Sequence, residues 1–188
     1  MAWYDADGAI PSGNVIEHVE LPAAFQLASI GTLSSAWTIA IKTSFAGGNK
    51  FAFDSLSGRV ALGESATVGQ NGFAAPTWHD VDLFPTDTVD RVYFLVSTGS
   101  SIQAYRDNVA VGAPMGVGTD LGGTTRWGGS NNGSASAWTR DIIYGAVYNI
   151  ALDSTQRDAL YATMTDAGVI DEIAITIPVQ YQIYQRAG

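Results

Sequence analysis

The stretch Arg126-Trp127-Gly128-Gly129-Ser130-Asn131-Asn132-Gly133-Ser134-Ala135-Ser136-Ala137-Trp138 holds the residue types best suited to gripping a sugar. An exposed indole offers a flat apolar face on which a sugar ring can stack, and a carboxamide supplies both donors and acceptors for hydroxyls. Trp127, Asn131, Asn132 and Trp138 are therefore the candidate carbohydrate-binding residues. Both tryptophans also fall at expected strand ends, where indoles more often plug the rim of a core, and that use competes with the first.

Cleaving a glycosidic bond would need a second arrangement, two carboxyl groups about 5 to 9 Å apart on one face of a strand or across a cleft. The glutamates are Glu17, Glu20, Glu64 and Glu172, and none belongs to a Glu-x-Asp-x-Glu pattern. Asp80 and Asp82 alternate on one strand face, but with Asp87 and Asp90 they surround Pro85 and read as solvent face and turn. His18 and His79 are the whole histidine complement, too few and too far apart for a zinc site. No Gly-x-Ser-x-Gly elbow is present. The expectation is a protein without catalytic residues, metal ligands or a cofactor. Calcium is the one cation whose chemistry the loop oxygens of Asp54, Asp107, Asn108, Asp120, Asn131 and Asn132 would suit, and turn-forming Asx residues give the same pattern.

Composition narrows the partners. The 188 residues carry 18 acidic against 9 basic side chains, a net charge of −9, and no cysteine. Thiol chemistry, disulfides and Cys-ligated zinc are excluded. A chain so acidic, with Lys42 and Lys50 as its lysines, is unsuited to neutralising phosphates or an anionic bilayer, so neither nucleic acid nor membrane is an expected partner. No Lys or Arg precedes Lys42, so no signal peptide is expected. A chain of this length buries roughly 70% of its unfolded surface in one core. Gly116-Val117-Gly118-Thr119-Asp120-Leu121-Gly122 lacks the spacing and the lysine of a phosphate-binding loop.

The elements that must position these groups are short and alternate with period two. Strands are expected at 15–21, 25–30, 37–43, 51–53, 59–62, 81–84, 91–97, 102–106, 109–111, 124–127 and 142–150, broken by Gly, Ser, Asn or Pro at the spacing of an all-β sandwich. Residues 109–133, rich in glycine and alanine, read largely as surface loops. One short helix is expected near residues 154–164, with Asp153 as its N-cap and Gly168 near its end.

Three stretches resemble the concanavalin A-like lectin/glucanase superfamily, and within it the laminin-G-like jelly-roll branch. Ala36-Trp37-Thr38-Ile39-Ala40-Ile41-Lys42-Thr43 is similar to the family's early core strand. Ile102-Gln103-Ala104-Tyr105-Arg106-Asp107-Asn108-Val109-Ala110-Val111-Gly112 is similar to its Tyr-x-Asp-Gly hairpin, with Asn108 in the glycine's place as the other residue at ease in a left-handed turn. Val147-Tyr148-Asn149-Ile150-Ala151-Leu152-Asp153 and the helix after it resemble its closing strand. The likeness covers about residues 15–165 and implies a two-sheet antiparallel jelly roll. Ile143 and Tyr144 stand where the family often has an acidic pair, and the glucanase carboxylate motif is missing, so the family's metal and catalytic roles do not carry over. The family includes lectins, hydrolases and virion proteins, and its fold does not choose among them.

After Gly168 the chain alternates with unusual regularity: Ile173, Ile175, Ile177, Val179, Tyr181 and Ile183 share one face. Such a strand must be covered, by its own sandwich or by a neighbour. Together with Trp3 and Tyr4 these residues form the expected assembly interface. The expected organisation is an N-terminal docking segment, 1–14, a laminin-G-like sandwich, 15–168, and a C-terminal arm, 169–188. The corresponding functional expectation is a non-enzymatic interaction protein, a bacteriophage virion component such as a capsid decoration protein or tail appendage. Its partners would be further copies or shell and tail proteins. The alternative is a carbohydrate-binding lectin module, and a glucanase-type hydrolase comes third.

Overall fold

The computed structural model describes residues 3–20, 27–33, 36–44, 51–57, 60–64, 71–75, 77–80, 83, 88–115, 120–129, 140 and 142–166. Among them, twelve strands build two six-stranded antiparallel sheets. Sheet A takes β1 (Val15–Glu20), β12 (Ile142–Tyr148), β3 (Trp37–Thr43), β8 (Arg91–Ser97), β9 (Ile102–Arg106) and β10 (Val109–Met115), in that spatial order. Sheet B takes β2 (Leu27–Leu33), β11 (Leu121–Trp127), β4 (Phe51–Ser57), β5 (Ala61–Glu64), β6 (Asn71–Ala74) and β7 (Trp78–Asp80). The helix α1 (Ser154–Thr165) follows β12. No helix among the described residues is long and apolar enough to cross a membrane.

The two sheets face each other across a core built on Trp37, Ile39, Ile41, Phe53, Leu95 and Trp127. A second core lies on the other side of sheet A, where Phe94, Tyr144 and Tyr148 meet Leu160 and Met164 of α1 and Trp3 and Ile10 of the N-terminal segment. The central strands of sheet A, β12, β3 and β8, are therefore buried on both faces, whereas edge strand β10 is largely exposed. That is why β3 and β8 read as near-continuous apolar runs, Trp37-Thr38-Ile39-Ala40-Ile41 and Val92-Tyr93-Phe94-Leu95-Val96, whose residues are all buried.

The helix starts where its cap chemistry dictates. Asp153 Oδ1 accepts from the Gln156 backbone N–H at 2.9 Å while Gln156 Oε1 accepts from the Asp153 N–H at 3.2 Å, a complete capping box. At the other end Lys42 Nζ donates to the Met164 carbonyl at 2.7 Å, placing a cation where the helix dipole is negative. Burial lowers the Lys42 pKa, partly offset by Asp90. Replacing Asp153 with alanine removes one half of the box and is expected to cost about 1 kcal/mol in a urea unfolding titration.

The first residues behave differently from expectation. Trp3 is 3% exposed, its ring 4.7 Å from that of Tyr144, and its carbonyl accepts from Thr163 Oγ1 at 3.1 Å. The Tyr4 carbonyl accepts from the Tyr148 hydroxyl at 2.9 Å, and burial holds that hydroxyl's pKa well above its ordinary value, with Asp5 adding to the shift. The Trp3 indole is thus spent inside its own chain and is not available as an assembly anchor. Tyr4 is half-buried, stacked on exposed His18 with centroids 3.9 Å apart.

Two further expectations are corrected. Residues 109–115 and 121–127 are strands, and Leu121 and Trp127 belong to the inter-sheet core. Residues 71–74 form β6 and residues 78–80 form β7, neither of them expected, and the strand expected at 81–84 lies outside the described residues except for Leu83. The β9–β10 turn matches its reading: Asp107 and Asn108 both take positive φ, 50° and 61°, as a two-residue hairpin of mirror-image type requires.

Candidate functional site

Antiparallel register brings distant residues into transverse rows, because residues directly opposite one another share a face of the sheet. In sheet B one such row is Trp127, Phe53, Leu62, Phe73 and His79. It faces the core: the Phe53 and Trp127 rings meet edge to face at 4.7 Å, and His79 lies 5.2 Å from Phe73. The next row, Arg126, Asp54, Ala61, Ala74 and Trp78, occupies register positions on the outer face. It sets a guanidinium position beside a carboxylate, then two small residues, then an indole position. Fixed donors and an acceptor beside small residues are groups of the kind that hydroxyl-rich rings use. Asp54 and Ala61 are 1% and 0% exposed, so the middle of the row is closed. At the β11 end of the row Arg126 and Thr124 are partly buried.

A different polar group sits between the sheets. Glu17, on edge strand β1, is 8% exposed, and its Oε2 accepts from Thr125 Oγ1 of β11 at 2.8 Å. Burial raises the Glu17 pKa, while hydrogen bonding from Thr125 and the proximity of the Trp127 indole act in the opposite direction. Glu17 Oε1 and Trp127 Nε1 complete no hydrogen bond.

These placements decide several expectations. Trp127 is 0% exposed and offers no face to a sugar, so the stacking role does not hold for it. Asn131, Asn132 and Trp138 lie outside the described residues, as do Ile173, Ile175, Ile177, Val179, Tyr181 and Ile183. The described oxygen ligands considered for calcium are dispersed. Asp54 is a buried strand residue, Asp107 binds Arg91 Nη1 at 2.9 Å and the Val92 N–H at 3.2 Å, and Asn108 donates to Asp158 on α1. Among the described residues no three acidic or histidine side chains gather as a metal site would need. Glu17 and Asp54, the buried carboxylates among the described residues, lie on opposite sides of sheet B and cannot flank one glycosidic bond.

No protein-family model matches the sequence, and no curated protein does. Solved structures match at the level of fold. The fourth domain of an extracellular arabinanase from Geobacillus stearothermophilus, in complex with arabinotriose, superposes with a TM-score of 0.50 at 12% identity, over 70% of this chain and 68% of that one. A botulinum neurotoxin type C structure gives 0.52 at 12% identity, over 76% of this chain and 40% of the toxin chain. A Trypanosoma rangeli sialidase mutant with trans-sialidase activity gives 0.50 at 10% identity, over 80% and 29%. The chain thus shares the two-sheet β-sandwich fold of these domains and spans less than half of the toxin and sialidase chains.

Proposed function

We propose that the chain is a non-enzymatic carbohydrate-binding module of the laminin-G-like branch, and that it meets its glycan on the outer face of sheet B, entering from the Arg126 end. The observation that carries this reading is the outer row: Arg126 stands directly across from Asp54, beside the small residues Ala61 and Ala74, with Trp78 at the far register position. The fold likenesses lend support, since the arabinanase domain was solved with arabinotriose and the neurotoxin depends on interaction with two ganglioside molecules to enter cells. The particle role expected from the tail rests on residues 169–188, outside the described residues, and does not enter this proposal.

The test is a glycan array followed by calorimetry on the best hits. Arg126→Ala is expected to weaken binding at least tenfold, the loss of a charge-assisted hydrogen-bonding group, in a protein whose circular-dichroism spectrum remains that of the folded sandwich. An array blank across pentose, hexose and sialylated glycans would sink the proposal, and so would binding unaffected by Arg126→Ala.

A further inference from the structure

The geometry points to Glu17 as a proton-controlled latch that joins edge strand β1 of sheet A to β11 of sheet B. The carboxyl reaches from one sheet to the other across the interior, where it accepts from Thr125 Oγ1 at 2.8 Å beside the Trp127 indole. Its second oxygen, Oε1, is buried and completes no hydrogen bond. A neutral carboxylic acid tolerates that environment. An ionised one leaves a charge in an apolar core, which is among the costlier things a fold can hold.

No charge among the described residues faces the carboxyl. On β1, His18 is exposed on the opposite face, stacked on Tyr4. Strand β2 carries no titratable side chain. On β11, Arg126 lies between Thr125 and Trp127, which face inward, so its own position is on the outer face, as is that of Asp54 on β4. On β12, Tyr144 and Tyr148 are buried in the second core with the helix. The causes acting on Glu17 are burial, Thr125 and Trp127.

The sign of the effect follows. Burial raises the carboxyl's pKa in the native state above the ordinary 4.5. Between those two values the opened state has already lost its proton while the closed state still holds it. Closure is therefore tightest at or below the ordinary value, weakens as pH rises, and levels off above the native pKa. This runs opposite to the usual salt-bridged carboxylate. The strand released first would be β1, which sits at the edge of sheet A with β12 as its one neighbour in that sheet.

Backbone hydrogen exchange of the full chain between pH 4 and 8, corrected for the intrinsic rate, tests the latch, together with a carbon-13 titration of the Glu17 carboxyl. Protection of 15–20 and 121–127 is expected to fall by up to tenfold per pH unit within the window, since one proton is released on opening. In Glu17→Gln, which keeps an acceptor for Thr125 and cannot ionise, that slope is expected to vanish. A carboxyl titrating at or below 4.5, or an equal slope in Glu17→Gln, would overturn the inference. Should Glu17→Gln fail to fold, the wild-type titration alone decides.

Discussion

Trp127→Ala is expected to destabilise the protein by about 3–5 kcal/mol, the range for truncating a large aromatic in a core. The indole has no exposed surface and lies edge to face with Phe53 at 4.7 Å. Its far side rests on the backbone of the facing sheet: a Cβ placed on Gly145 would fall 2.6 Å from Cζ3 of the ring and 2.8 Å from Val19 Cγ2. The ring therefore fills the gap between the two sheets at Gly145, and its removal leaves a cavity there. Urea unfolding measures the loss directly. The same variant separates the two roles that an indole at a strand end suggests. If Trp127 were a sugar platform, Trp127→Ala would abolish glycan binding with little change in stability. A loss under about 1 kcal/mol would contradict its place in the core.

The residue types around Trp127 left that choice open because burial depends on what the opposite sheet presents, here a glycine 18 residues further along the chain. Strands β3, β8 and β9 were legible to the residue, since Trp37, Ile39, Ile41, Tyr93, Leu95, Ile102 and Ala104 alternate or run without interruption toward a buried face. The helix was legible through its cap: Asp153 followed by Gln156 is a local signal with a local cause. The N-terminal segment was not. Its aromatic pair reads as an anchor for another chain, because nothing local shows the chain's own need for that apolar surface. Sheet A uses it on its second face, where Trp3, Ile10, Leu160 and Met164 close a third layer over Phe94 and Tyr148.

The outer row of sheet B was illegible for a different reason. Arg126, Asp54, Ala61 and Trp78 come from four strands, and their adjacency is a consequence of register alone. Register shifts at 51/53 in β4 and between 122 and 125 in β11 move residues from one face to the other, so counting along the chain cannot recover the row. Glu17 was likewise visible only as one of few glutamates, with nothing in Val15-Ile16-Glu17-His18-Val19 to mark it as the inward residue beside a partner more than a hundred positions away.

Gly122→Ala carries the other large expected effect, and it explains why a glycine-rich stretch that resembled a loop is a strand. A Cβ at Gly122 would lie 2.1 Å from the Gly31 carbonyl oxygen and 2.6 Å from Thr32 Cα. Both are backbone atoms, so no rotamer change relieves the clash, and β2 must move as a unit. The neighbours show how closely the two strands approach: the β2–β11 register slips between 122 and 124, and Gly31 and Gly123 hold positive φ of 69° and 72°. Glycines at such a bulge permit a close backbone approach that any side chain would prevent. Since β2 is the edge strand and β11 its one neighbour in the sheet, displacing it uncovers the sandwich beside Leu121 and Trp127. The expected cost is about 3 kcal/mol, at the upper end for overpacking because the obstructing atoms are fixed. Hydrogen exchange should show 27–33 losing protection ahead of β3 and β8. A Gly122→Ala variant with wild-type stability and intact protection of β2 would mean that the two strands do not approach this closely.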